Sequence, residues 1–409
     1  MATEQSDRFD EVDWDEVTGG ASGLGVSINT KLMILASIPI AFLTLYDYFF
    51  VGRREATFEE LGHDLGLSGL FETLGMDWNP NNLDYLFLFT LFLFVFYMVL
   101  PLYQNPRMTK YYWKEFKRNR PAVVSLVWLG IVFAGGLLGP LFISEPEHDI
   151  MNGFQPPAFY HISDHHVVTC AGEVADGRCY GTWEHPLGTT QGGRDIFDLL
   201  VHGMTISMQI AFITTLIVAI IGVSFGTVSA FSGGWIDEIL MRFTDIVLSF
   251  PTLLFFIMIT YIYGASLALF ILIFAIFAWG GTARYVRSKA LSVTEEEFVK
   301  ATKISGASKY RIVRRHIVPN TASSIITTLT LLIPGFLLAE AQLSFLELGD
   351  SDIPSWGQVI ASGRSSIEYA PWIILAPGIL LFLTILAFNF VGDSLLDALN
   401  PEAEAEADK

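Results

Sequence analysis

The feature that most constrains this chain is a series of long apolar runs, each close to the ~20 residues that a helix needs to cross a bilayer. Eight are readable, at roughly 32–51, 85–103, 122–143, 204–231, 243–263, 266–283, 323–345 and 371–391. Hydrocarbon offers the backbone no hydrogen-bond partner, so such runs become helices. The apolar residues stand in unbroken blocks and not in alternation, which disfavours a β-barrel. The expected fold is therefore all-α, a polytopic membrane protein of about eight spans. Charged residues make up only 16% of the chain, against about 25% in ordinary soluble domains. That excludes a disordered chain and argues against a soluble enzyme.

Basic residues set the expected orientation. Loop 104–121 carries Arg107, Lys110, Lys114, Lys117, Arg118 and Arg120, and segment 284–315 carries nine more. Both are expected in the cytoplasm. The acidic loops 52–84, 144–200 and 346–370 are expected outside. Eight spans then place both tails, 1–30 and 392–409, in the cytoplasm of a multi-pass plasma-membrane protein. No basic, then apolar, signal peptide is expected at the acidic N-terminus. The net charge of −18 disfavours nucleic acid as a partner. Its concentration in tails and outer loops fits a surface adapted to high salt, or simply a solvated one.

Two patterns are set aside. Thr18-Gly19-Gly20-Ala21-Ser22-Gly23-Leu24-Gly25 fits a dinucleotide turn, but an acidic stretch precedes it where a buried strand is required. The flexible-linker reading stands. No G-x-x-x-x-G-K-[ST] occurs, so ATP chemistry is expected in another chain. Loop 144–200 holds both cysteines, Cys170 and Cys179, with His161, His165, His166 and His185. A disulfide closing a short loop, a metal site with His161 and His165 on one helical face, and free thiols all remain open. Metal is not the favoured reading.

The informative polar stretch is Ser292–Asn320. Phe298, Ala301, Thr302 and Ser305 recur at helical spacing. Glu296 and Lys300 form an i,i+4 pair. Gly306 suits the position just past a helix end, and Pro319 precedes the next span. A short amphipathic helix between two spans is either a docking knob for a partner or a solvated basic loop.

These residues resemble the EAA loop of binding-protein-dependent ABC importer permeases, E-A-A-x3-G ending in L-P. Ala301, Gly306 and Pro319 match. Lys300 stands at the Glu, Thr302 at the second Ala and Val318 at the Leu. Further motifs resemble the dipeptide/oligopeptide/nickel permeases. They are His185–Asp195 (HPLGTTQGGRD), Gly233–Asp237 (GGWID), Met241–Asp245 (MRFTD), Phe250-Pro251, Leu338–Leu346 (LAEAQLSFL), Pro354–Gly357 (PSWG) and Phe388–Asp393 (FNFVGD). The match runs from about 115 to 400.

The resemblance implies a membrane-spanning importer subunit, with no reaction catalysed by this chain and no cofactor of its own. Its partners would be a second homologous permease, two cytoplasmic ATPases holding ATP and Mg, an external substrate-binding protein and the bilayer. The ATPase-coupling residues would be Glu296, Phe298, Lys300, Ala301, Thr302, Gly306, Ala307, His316 and Pro319, on a helix over about 293–305. Peptide is the expected cargo, with nickel or another small solute as the alternative. The implied domains are an acidic tail 1–30, a two-span extension 31–110, a first core helix with external loop 111–200, the permease core 201–395 with coupling loop 290–320, and a tail 396–409. Pathway or permease-interface candidates are Gly222, Gly226, Pro251 and the intramembrane acid Glu340. Pro251, Pro334 and Pro377 are expected to interrupt spans. A self-sufficient secondary transporter would need more intramembrane charge than Asp47 and Glu340 supply. No acid, base and nucleophile set marks a membrane enzyme.

Overall fold

A helix pairs its backbone groups within one segment, as hydrocarbon requires of an apolar run that stands alone, and the computed structural model is accordingly helical along its apolar runs. It describes residues 27–50 and 81–399. The glycine-rich Thr18–Gly25 segment, loop 52–80 and the end of the acidic C-terminal tail lie outside those residues. The helices are α1 Ile28–Phe50, α2 Asn82–Gln104, α3 Pro106–Phe116, α4 Arg120–Phe142, α5 Ile196–Ser232 and α6 Gly234–Leu248. They continue with α7 Thr252–Tyr263, α8 Leu267–Thr294, α9 Glu297–Ile304, α10 Tyr310–Phe345, α11 Trp356–Ser362 and α12 Trp372–Leu399.

Seven of these are long and apolar enough to cross a bilayer, and α6 with α7 forms a bent pair that makes an eighth if taken as one span. The apolar run read as a fifth straight span is therefore broken, with a bend of 66°. The cause is local. Pro251 has no N–H to continue a helix, and it sits at φ −76°, ψ 80° between Ser249 and Thr252. Phe250 fixes the break by stacking on Phe277 of α8 at 4.7 Å. Pro334 and Pro377, by contrast, lie inside continuous helices, α10 and α12.

The chain divides into two compact units, one ending at Pro106 and the other beginning at Arg107. In the first, α1 pairs with α2. Asn29 and Gln104 exchange amide hydrogen bonds of 3.1 and 2.9 Å, and the hydroxyls of Thr30 and Tyr97 meet at 2.8 Å. Asn81 and Asp84 cap α2 reciprocally.

In the second unit α8 packs along the second half of α5. Gly222 and Gly226 make that approach possible. A β-carbon on Gly222 would meet Thr282 at 2.8 Å, and one on Gly226 would meet the Ala283 carbonyl at 2.5 Å. The G-x-x-x-G pair thus serves close packing of two helices of one chain. α4 packs on α12, where Trp128 donates to Thr384 at 3.2 Å, and on α5, where Thr205 donates to the Gly136 carbonyl at 2.6 Å. Trp356, buried at the start of α11, donates to the Leu200 carbonyl at 3.1 Å and holds α11 against α5.

Among the described residues, the departure from an all-α chain stands between α4 and α5. Strands β1 His161–Ser163, β2 Val174–Ala175 and β3 Arg178–Tyr180 form an antiparallel sheet in the order β1-β3-β2. Cys170 and Cys179 are joined by a disulfide, the outcome among the three open readings. His161 is on a strand and His165 in a 3₁₀ turn, so they share no helical face. His166 instead stacks on Tyr369 at 4.3 Å, and His161 lies 3.1 Å from the Arg178 guanidinium.

Candidate coupling site

The segment after α8 is built by three small devices. α8 ends at Thr294, and Glu295 and Glu296 turn the chain. Glu296 is the N-cap of α9, at φ −65°, ψ 143°. The helix is thus shorter than the expected 293–305. Because Glu296 precedes the first helical turn, it does not pair with Lys300. The Lys300 ammonium lies 3.5 Å from Glu295 instead. At the other end the Gly306 amide donates to the Lys303 carbonyl and the Ala307 amide to the Thr302 carbonyl. That is a Schellman closure, and Gly306 supplies its left-handed residue at φ +77°.

The two faces of α9 differ. Val299 is fully buried with Ala290 of α8 and Ile312 and Ile317 of α10, and Ala307 packs on the same cluster. Phe298, Ala301 and Ser305 lie on the opposite side and are exposed, with Thr302 at its edge. The stripe read from the sequence is therefore the free face, and Val299, outside that stripe, is the anchor. Ile304 is 87% exposed and Tyr310 71% exposed beside it. The sequence reading named neither. The ring of Phe298 lies 6.1 Å from that of His316. His316 sits in a π-helical turn, Val313–Ile317, at the start of α10. Pro319 follows directly, and the wider turn accommodates its missing N–H.

Behind α9, two ion pairs tie α8 to α6. Arg287 donates in a fork to Asp237 at 2.6 and 2.5 Å, and Ser229 donates to the same carboxylate. Arg284 pairs with Asp245. Asp237 and Asp245 are the acids of GGWID and MRFTD. Their partners were read from the sequence only as orienting charges. The available signal is spacing: acids eight apart and arginines three apart each fall on one helical face.

Glu340 is buried in α10. The Ser344 hydroxyl donates to it at 2.7 Å. This contact is made within α10. A cavity of about 10 Å³ beside it reaches Ser266 and Asp350, room for one water.

The HPLGTTQGGRD segment closes the β-bearing domain onto α5. Asp195 caps α5, accepting from the amides of Phe197 at 2.7 Å and Asp198 at 3.4 Å. It also receives the His185 ring at 2.8 Å, and this hydrogen bond raises the His185 pKa above the ordinary imidazole value. Thr189 is buried between the Gln155 amide and the Asn152 carbonyl, and Trp372 of α12 donates to the Thr189 carbonyl at 3.2 Å.

Residues 222–404 match the family described as binding-protein-dependent transport system inner membrane component. Residues 107–157 match the N-terminal TM domain of oligopeptide transport permease C. The chain is 34% identical over 295 residues to the dipeptide transport system permease protein DppC of Alkalihalophilus pseudofirmus, covering 71% of this chain and 89% of that one. It is 32% identical to the oligopeptide transport system permease protein OppC of Haemophilus influenzae, over 71% and 87%, and 32% identical to DppC of Bacillus subtilis, over 71% and 84%. The chain belongs to the family of binding-protein-dependent transport system inner membrane components. It is a multi-pass ABC importer permease and not an enzyme. The family implies a partner permease, ATPase subunits and a substrate-binding protein.

Proposed function

We propose that this permease forms the translocation pathway of a di- or oligopeptide importer together with a second, homologous permease. Its relatives are named for dipeptide and oligopeptide transport. In this reading two cytoplasmic ATPases hold the ATP and Mg, and an external binding protein delivers the peptide. Counting α6 with α7 as one span gives eight crossings and returns both termini to the cytoplasmic side.

The observation that carries the coupling role is the two-faced α9. One face is anchored by Val299, and the other presents Phe298 and Ile304 to solvent. An exposed apolar face on a short, rigidly seated helix fits a groove on another protein. Closing of the ATPase pair would push α9 and, through its anchor, both α8 and α10. The Asp237–Arg287 and Asp245–Arg284 pairs would carry the motion onward to α6. Such switching is rigid-body alternating access biased by a partner's ligand.

The test is purification from native membranes, identification of the co-purifying subunits, and ATP-driven uptake of labelled peptides by the reconstituted assembly. Peptide uptake that needs ATP and the companion subunits is expected. Uphill transport by this chain alone, or uptake of nickel and not peptide, would contradict the reading. Gly306→Asp, or deletion of 296–304, is expected to abolish ATPase association while leaving the chain in the membrane.

A further inference from the structure

Away from the coupling site, the most strongly two-sided helix is α3, Pro106–Phe116. Its buried side is small and anchored. Phe116 packs with Ala122 of α4 and Ala398 of α12, and the Ser394 hydroxyl reaches the Phe116 carbonyl at 3.4 Å. These contacts seat α3 across the start of α4 and the end of α12, both candidate spans. α3 therefore lies at a membrane face.

The opposite side is cationic. Arg107, Lys110 and Lys114 recur at i, i+3 and i+7, which is one helical stripe; Lys117 follows in the turn after α3, and Arg120 opens α4. All five are exposed, and among the described residues none has a carboxylate within 4 Å. Arg118 is paired with Glu115 at 2.6 Å, which occupies the acid of α3. Asp393 and Asp397 of α12 are exposed nearby in sequence to the Ala398 anchor, and neither forms a salt bridge with these cations. Met108 and Trp113, 52% and 43% exposed, flank the stripe on either side. Indole and long apolar side chains favour the boundary between headgroups and acyl chains. Five unneutralised cations in a chain of net charge −18, flanked by such groups at a membrane face, have one complementary occupant.

We propose that α3, the turn after it and the first residue of α4 form a binding surface for anionic phospholipid headgroups, with Arg107, Lys110, Lys114, Lys117 and Arg120 as phosphate partners. This surface is separate from α9 and does not depend on the peptide reading.

The test uses the full chain with its co-purifying subunits, reconstituted in phosphatidylcholine vesicles containing spin-labelled phosphatidylglycerol or spin-labelled phosphatidylcholine. The readout is the motionally restricted lipid fraction. Wild type is expected to prefer the anionic lipid at low salt and to lose the preference at high salt. K110Q/K114Q/K117Q is expected to lower the relative affinity at least about fivefold, the effect of one cation near an anionic surface. R311Q/R314Q/R315Q, on the other basic segment, is expected to keep the preference. If the triple variant does not insert, K114Q alone is read the same way, with a smaller drop expected. An unchanged preference in the α3 variants, or none in wild type at low salt, would overturn the proposal. Loss of a co-purifying protein with lipid preference intact would overturn it in favour of a protein occupant.

Discussion

Gly306 stands at φ +77° with nothing within 4 Å of where a β-carbon would be, so the constraint on it is conformational and not steric. A residue with a β-carbon pays about 1–2 kcal/mol there. Gly306→Val is therefore expected to loosen the end of α9, with Gly306→Asn milder because asparagine tolerates the left-handed region. Hydrogen exchange at the amides of Gly306 and Ala307 reads this directly, and equal protection in both variants would contradict it. His185 is the second residue with a defined expectation. Its hydrogen bond to Asp195 raises its pKa in the folded protein. The pair's contribution is complete below the unfolded imidazole value, about 6.5, and is lost as pH rises through the higher folded value. Protection of residues 185–195 is expected to fall over that interval in wild type and to be flat in His185→Gln. A wild-type profile that rises with pH would refute this sign.

At the scale of elements, α9 is held by one fully buried side chain. Val299→Ala is expected to weaken its seating by about 1–3 kcal/mol, seen as faster exchange across 297–304 with α8 and α10 unaffected. Unchanged exchange would mean that the Val299 cluster does not hold the helix. The fork from Arg287 to Asp237 is the other element-level tie. A double-mutant cycle with Arg287→Met and Asp237→Asn is expected to give a coupling of about 1 kcal/mol, since the pair is a two-pronged fork between partly buried groups. Additive effects would sink it.

These elements also mark what the sequence could reveal. Spans were legible because apolar length is a property of one segment. The Gly306 stop was legible because its backbone requirement is local. The Glu296–Lys300 pairing was not, because spacing assumes a continuous helix and the chain turns at Glu296. Val299 went unnoticed because burial depends on α8 and α10, more distant segments. The Asp237–Arg287 tie likewise joins residues fifty apart. Pro251 broke its run while Pro334 and Pro377 did not, since a helix interior can absorb one missing donor when its neighbours hold it.

For the whole molecule, the proposed coupling makes a seated knob, two arginine–aspartate ties and a bent span into one path for force. Seating and exposure are separate properties of α9, and separating them experimentally tests that path. The decisive measurement is the amount of ATPase subunit recovered with membrane-inserted Phe298→Asp/Ile304→Asp, which alters only the exposed face. Loss of the ATPases, with exchange protection at Val299 kept, is the predicted result. Recovery of the ATPases at the wild-type ratio would contradict the claim that this face is where the motor engages the permease.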